Sequence, residues 1–130
     1  MASALSYGTI ESVFVAYYQR AGDASGVRYW AGILEANNND IQSVINAFAT
    51  SAESIALYGA PPPQNVAATA QIQAFINSMY QGMFGRNADA AGLNFYTTGY
   101  INGTFSQGSI ALDILNGAQG ADRVAVDNKI

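Results

Sequence analysis

The stretch Arg20-Ala-Gly-Asp23-Ala-Ser-Gly26-Val27-Arg28-Tyr29-Trp30 recurs without a gap 66 residues later as Arg86-Asn-Ala-Asp89-Ala-Ala-Gly92-Leu93-Asn94-Phe95-Tyr96. The same offset pairs Ile10 with Ile76, Phe14 with Tyr80, Tyr18 with Phe84, Val44 with Ile110 and Phe48 with Ile114. Apolar positions match over most of each half, so the chain is a duplication and any fold must accommodate one unit twice. The first copy spans about 6–59, a Pro-rich connector about 60–65, and the second copy about 66–127. At 130 residues the whole chain suits one domain, 1–130, with a shared core, because half-length units bury the least surface.

The unit is helical. Ile10, Val13, Phe14, Tyr17 and Tyr18 stand at i, i+3, i+4, i+7 and i+8, the apolar stripe of an amphipathic helix that Ser6 or Thr9 is expected to cap. Asp23 is the expected N-cap of a second helix carrying Val27, Trp30, Ala31 and Leu34, which the run Asn37-Asn38-Asn39 ends. Asp40 caps a third through Ile41, Val44, Ile45 and Phe48. Ser51 caps a short fourth through Ile55, Leu57 and Tyr58, stopped by Gly59. Pro61-Pro62-Pro63 cannot continue a helix, since each ring fixes φ and removes an amide donor. In the second copy, Ile72, Phe75, Ile76, Met79, Tyr80, Met83 and Phe84 form a longer stripe. Asp89 then caps a helix with Leu93, Tyr96 and Tyr100, and Ser106 or Ser109 begins another with Ile110, Ile114 and Leu115. The expected class is all-α, a bundle of about six to eight helices from two duplicated motifs.

Half the residues are hydrophobic and only 11% are charged, so disorder is not expected. The net charge is −4, and the five cations, Arg20, Arg28, Arg86, Arg123 and Lys129, form no stripe. Binding a polyanion through counterion release needs such a cluster, so nucleic acid is not an expected partner. The surface is left rich in neutral polar groups, a balance that suits hydroxyl-rich ligands or self-association. No stretch approaches the roughly 20 apolar residues of a membrane span. The start, MASALSYG, has neither the basic nor the long apolar part of a cleaved signal peptide, so an export address is expected elsewhere.

The repeated pattern Arg-x-x-Asp-x-x-Gly-Val/Leu-x-Tyr/Phe-Trp/Tyr has a structural reading that covers every fixed position. Asp23 and Asp89 would accept backbone amides at a helix start. Arg20 and Arg86 would hold those carboxylates, and Gly26 and Gly92 would let the first turn approach the preceding helix. The aromatic pair would anchor the helix, with Tyr29 and Phe95 partly buried. The competing reading is a sugar site, with rings stacking on apolar sugar faces and charged groups bonding hydroxyls. Its candidate ligand-binding residues are Arg20, Asp23, Tyr29, Tyr58, Arg86, Asp89 and Tyr96.

Catalysis is not expected. With neither His nor Cys, the chain lacks the commonest general base, the commonest transition-metal ligand and any thiolate. No nucleophile elbow or phosphate-binding Gly loop is present. Two-carboxylate glycosidase chemistry would have to come from Glu11, Asp23, Glu35, Glu53, Asp89 and Asp113, most of which read as caps or solvated helix positions. Asn37-Asn38-Asn39-Asp40 offers oxygen ligands but lacks the alternating acids, central Gly and final Glu of a calcium loop, so it reads as a polar loop ending in a cap. Neither metal nor cofactor is expected in this region.

The duplicated motif, followed by a helix such as Ile45-Asn-Ala-Phe48-Ala-Thr-Ser51-Ala-Glu53, resembles a bacterial domain-of-unknown-function family, often found in tandem in S-layer proteins, RTX-type exoproteins and other type I-secreted proteins. The likeness covers nearly the whole chain and is closer in the first copy. In the second, Gly117-Ala118-Gln119 stands where Ser51-Ala52-Glu53 does, which puts any role of that Ser and Glu there in doubt. The end, Val126-Asp127-Asn128-Lys129-Ile130, resembles a segment that follows such repeats in longer surface proteins, so a downstream region is expected. The resemblance implies an extracellular N-terminal module that tethers a crystalline or matrix protein to the cell, in S-layer relatives through lipopolysaccharide O-antigen. Calcium would belong to the full-length protein. The expected partner is therefore cell-surface polysaccharide, met by aromatics such as Tyr29, Tyr58 and Tyr96. The alternative is homotypic assembly with other copies of the same protein in a lattice.

Overall fold

The apolar stripe beginning at Ile10 folds as foreseen, but in a longer helix. In the computed structural model, which describes residues 4–129, α1 runs Ala4–Tyr18. It begins before either expected cap, so Ser6 and Thr9 lie inside it, and the Ser6 hydroxyl instead donates to Glu35 Oε1 at 2.9 Å. Residues Met1–Ser3 of the start read above, and Ile130 of the final segment, fall outside the described residues. The helix is more central than a one-sided stripe implies, with every side chain from Val13 to Tyr17 buried. That follows from its neighbours, since α2 (Ala24–Ala36), α3 (Ile41–Ala49), α4 (Ala52–Tyr58), α5 (Thr69–Phe84) and α7 (Ile110–Asn116) all pack against it.

The second copy comprises α5, α6 (Ala90–Ile101), α7 and α8 (Ala121–Asp127), giving eight α-helices and no strand among the described residues. The fold is an all-α bundle. α5 presents its predicted stripe, Ile72, Phe75, Ile76, Met79, Tyr80 and Met83, to α6, α7 and α8. The short α7 is wedged between α1 and α5, with Ile110, Ala111, Leu112, Ile114 and Leu115 all buried. Tyr17 ties the copies together by donating its hydroxyl to the Gly108 carbonyl just before α7. The buried side chains of both copies form one continuous cluster.

Capping follows the expected chemistry at three helix starts. Asp40 accepts the Gln42 amide, Ser51 the Ser54 amide and Asp89 the Gly92 amide. Gly59 ends α4 with φ +81°, a conformation that costs a Cβ-bearing residue energy. The connector is not a slack tether. Pro62 is buried, and its carbonyl accepts the Tyr100 hydroxyl at 2.5 Å and Gln107 Nε2 at 3.0 Å. A proline gives up its donor but keeps its acceptor, and here the acceptor fastens the linker to the second copy. α8 is the one α-helix that the sequence pattern does not announce. Its N-cap is Gly120, with no side-chain cap bond, so the residue types that usually betray a helix start are missing.

One buried polar atom is left over: Thr97 Oγ1 on α6 has no hydrogen-bond partner among the described residues, although Thr97 is only 5% exposed. A buried, unpaired hydroxyl costs roughly 1–3 kcal/mol. Thr97→Val keeps the shape and removes the penalty, so it should raise stability by about 1 kcal/mol and Tm by roughly 3–5 °C. Thermal unfolding of the two proteins checks this, and a lowered Tm would contradict it.

Candidate functional site

The repeated motif occupies the corner where the first helix of each copy turns into the second. Asp23 and Asp89 stand at the N-caps of α2 and α6 with extended backbone, as expected. They act differently. Asp89 Oδ1 accepts the Gly92 amide at 3.0 Å, whereas Asp23 Oδ2 accepts the Ser25 hydroxyl at 2.7 Å and no backbone amide completes a cap bond to it. The Ser25 hydroxyl, and behind it the nearby Gly26 amide, hold the Asp23 carboxyl below the usual carboxylate range. The glycines serve the caps more than the close helix approach foreseen for them. A Cβ on Gly26 would lie 2.6 Å from Asp23 Oδ1, and one on Gly92 would lie 2.7 Å from Asp89 Oδ1. Contact with the preceding helix is secondary, at 3.4 Å to Phe14 and 3.2 Å to the Tyr80 hydroxyl.

Arg20 and Arg86 do not hold the capping aspartates. Arg20 grips Glu53 on α4 in a two-pronged pair, Nε to Oε2 and Nη2 to Oε1, both at 3.1 Å. Arg86 holds Asp122 on α8 in the same way, with Nε 3.0 Å from Oδ1. Each guanidinium also lies over rings of its own copy, Arg20 5.5 Å from Phe14 and 5.4 Å from Tyr18, Arg86 5.2 Å from Tyr80. Bonding to Glu53 and to Asp122 raises the pKa of the respective arginine, which is charged in any case. The Arg20–Glu53 pair is roughly half exposed, so its contribution is about 0–1 kcal/mol and its role is to fix the corner against the fourth helix. The second copy thus keeps an acid for its arginine, three residues later than the 66-residue offset predicts. Gly117-Ala118-Gln119 are extra residues after α7, and α8 restarts the pattern with Ala121-Asp122 where α4 has Ala52-Glu53.

The aromatic candidates separate by burial. Tyr58 is 8% exposed, and its hydroxyl donates to the Ala16 carbonyl at 2.7 Å. Tyr96 is 9% exposed and packs edge-on against Tyr80 and Phe95. Both belong to the core, so contact with a polymer cannot be carried by these two rings. Tyr29 and Phe95 go the other way: expected to be partly buried, they are 63% and 60% exposed. Each stands edge-on to the anchoring aromatic that follows it, Tyr29 5.2 Å from Trp30 and Phe95 5.0 Å from Tyr96. A helix that turns position i+1 inward turns position i away by 100°, which is why the second ring of each pair packs against the core and the first stands outside.

Two clefts lie near the motif; Phe95 lines one of them and Tyr29 lines neither. One of about 380 Å³ lies between α1 and α2, lined by Tyr7, Glu11, Gly22, Ala24, Val27 and Arg28. The other, about 280 Å³, lies on α6 and the following loop, with Phe95 and Phe105 as its rings. Phe105 carries no periodic signal, because it sits in the α6–α7 loop, which is longer than the α2–α3 loop of the first copy. The carboxylates have structural work: Glu11 accepts the Gly22 amide at 2.8 Å, Glu35 the Ser6 hydroxyl and Asp113 the Ser109 hydroxyl at 2.8 Å. Burial raises the Asp113 pKa while that hydroxyl pulls it back. Asn38 and Asn39 adopt φ values of 59° and 61°, the left-handed turn that precedes the Asp40 cap. Among the described residues no three His, Cys, Asp or Glu side chains cluster as metal ligands, and no helix is long and apolar enough to cross a membrane.

A family model described as a domain of unknown function (DUF4214) matches residues 7–58 and again residues 64–121, one match to each copy. No curated protein and no solved structure matches the chain.

Proposed function

The chain belongs to the DUF4214 family, in two copies, and on that premise we propose that it is a non-catalytic module that holds an exported structural protein at the bacterial surface by binding lipopolysaccharide or exopolysaccharide. The observation that carries this reading is the pair of exposed rings, Tyr29 and Phe95, at one repeat position of both copies. An exposed ring on a helix is apolar surface left in water, and the C–H faces of sugar rings are a ligand that covers it while their hydroxyls bond neighbouring polar groups. The duplication thus offers a polysaccharide one exposed ring in each copy. The electrostatics agree: Arg20, Arg86 and Arg123 are engaged in ion pairs, which leaves a surface suited to neutral hydroxyls more than to polyanions.

The alternative, homotypic assembly in a surface lattice, draws on other exposed apolar side chains. Ile55 and Leu57 on α4 are 40% and 41% exposed and stand apart from the ring positions in the sequence. The two readings separate by experiment. The Tyr29→Ala/Phe95→Ala double variant should keep its fold and its oligomeric state by light scattering while losing at least tenfold in co-sedimentation with envelopes. Unchanged envelope binding in that variant, with assembly lost on Leu57→Asp, would move the function to the lattice.

A further inference from the structure

We infer that the groove beside Phe95 is a subsite for a neutral pyranose and that the second copy alone possesses it; the inference rests on the polysaccharide reading and gives it an address. Phe95 and Phe105 supply the rings, with centroids 5.6 Å apart and planes inclined by 62°, so their faces are not spent on each other in a parallel stack. Asn94, Thr98, Asn102 and Thr104 supply the polar lining, and no member of the groove is charged. Carboxamides and hydroxyls both donate and accept, as a sugar hydroxyl does, whereas an anionic ligand would find no cation here. At about 280 Å³ the groove falls just under the roughly 300–1,000 Å³ typical of sites for drug-sized ligands, a size for one or two sugar rings.

The groove is constructed and held. Gly99 is buried on α6, and a Cβ there would come within 2.4 Å of Phe105 Cε2, so glycine is what lets the Phe105 ring lie on the helix. The Phe105 amide donates to the Gly99 carbonyl at 3.1 Å, and Gln64 Nε2 donates to the Phe105 carbonyl at 3.0 Å, pinning the loop from two sides. Asn102 Oδ1 accepts both the amide and the hydroxyl of Thr104, at 2.9 and 2.6 Å, which orders the rim and leaves the amide N–H groups of Asn102 as what it offers a ligand. Pre-ordering of this kind reduces the entropy lost on binding.

The first copy cannot reproduce it. At the 66-residue offset Arg28 replaces Asn94, Gly32 replaces Thr98, Ile33 replaces Gly99, Ala36 replaces Asn102 and Asn39 replaces Phe105. One ring remains, all four polar residues change (Thr104 answers to Asn38), and a branched side chain stands where Gly99 keeps the place clear. Tyr29 therefore lacks the loop ring and the neutral polar lining that surround Phe95.

The test is an amide-shift NMR titration of the whole chain with methyl glycosides of glucose, galactose, mannose and rhamnose, run beside envelope co-sedimentation. At least one glycoside should shift the amides of Asn94, Thr98, Gly99 and Phe105; Phe95→Ala should abolish those shifts and weaken envelope binding roughly tenfold, while Tyr29→Ala keeps the shifts. Phe95 is exposed, so its variant should fold, and an unchanged spectrum away from α6 verifies that. If the chain binds polysaccharide but Phe95→Ala and Thr98→Val behave as wild type, or if the shifts gather elsewhere, the subsite is wrong and the anchoring reading survives. If envelope binding is indifferent to polysaccharide, both fall together.

Discussion

Phe48→Ala is expected to cost about 3–5 kcal/mol, the range for emptying a fully buried aromatic site. Phe48 is 1% exposed and is the hub of the first copy's aromatic cluster. Its ring stacks on Tyr18 at 4.8 Å, meets Phe14 and Trp30 edge-on, both at 5.1 Å, and leans on Tyr17 at 6.4 Å. Those partners come from α1 and α2, so the gap left by alanine cannot close by moving one helix. In the second copy Ile114 takes the equivalent place and the aromatic weight shifts to Tyr80, Tyr96 and Phe105. Because one core serves both copies, Trp30 fluorescence and far-UV circular dichroism should be lost in a single urea transition, in wild type and variant alike. A fluorescence transition that precedes the loss of helix would mean that the copies unfold separately, and a cost under about 1 kcal/mol would mean that the site repacks.

Alkali is expected to unfold the protein through its tyrosines. Burial pushes Tyr58, Tyr80 and Tyr100 up to about 12 from an ordinary value of 10.0, and moves Tyr17 in the same direction. A raised acid pKa in the folded state means that the unfolded chain gives up its proton first. Stability is therefore level below pH 10 and falls between about 10 and 12. Each such group adds a slope of roughly 1.4 kcal/mol per pH unit in that window, and Tyr58 can alone remove up to about 2.7 kcal/mol. Urea midpoints at pH 8, 10 and 11 should drop steeply between the last two, less so in Tyr58→Phe. A midpoint that stays constant to pH 11 would show that these hydroxyls ionise freely in the folded protein.

Most of the helices were legible because their signals are local. Stripes such as Ile72 to Met83 and caps such as Asp40, Ser51 and Asp89 need nothing beyond their own segment. α8 was not read, for its start is a glycine and its one buried side chain is Val126. The ion pairs of the motif arginines were misassigned to Asp23 and Asp89, since proximity in sequence stood in for proximity in space. The true partners lie on the fourth helix of each copy, and in the second copy a three-residue insertion hides the match. The same limit applies to the aromatics. Periodicity says that one residue of Tyr29-Trp30 and of Phe95-Tyr96 faces inward, but only the packing of α1 and α5 decides how far outward the other stands. Phe105 lay wholly beyond reach of periodicity, because a loop ring joins a helix groove only where Gly99 makes room for it.

The most direct test of the account is co-sedimentation of the 130-residue chain with bacterial envelopes, intact or stripped of their surface polysaccharide, in calcium and in chelator. The chain should pellet with intact envelopes and stay in solution with stripped ones, in both buffers. Equal pelleting with both envelopes, or none with either while light scattering reports ordered oligomers, would contradict the anchoring role and assign the module to assembly.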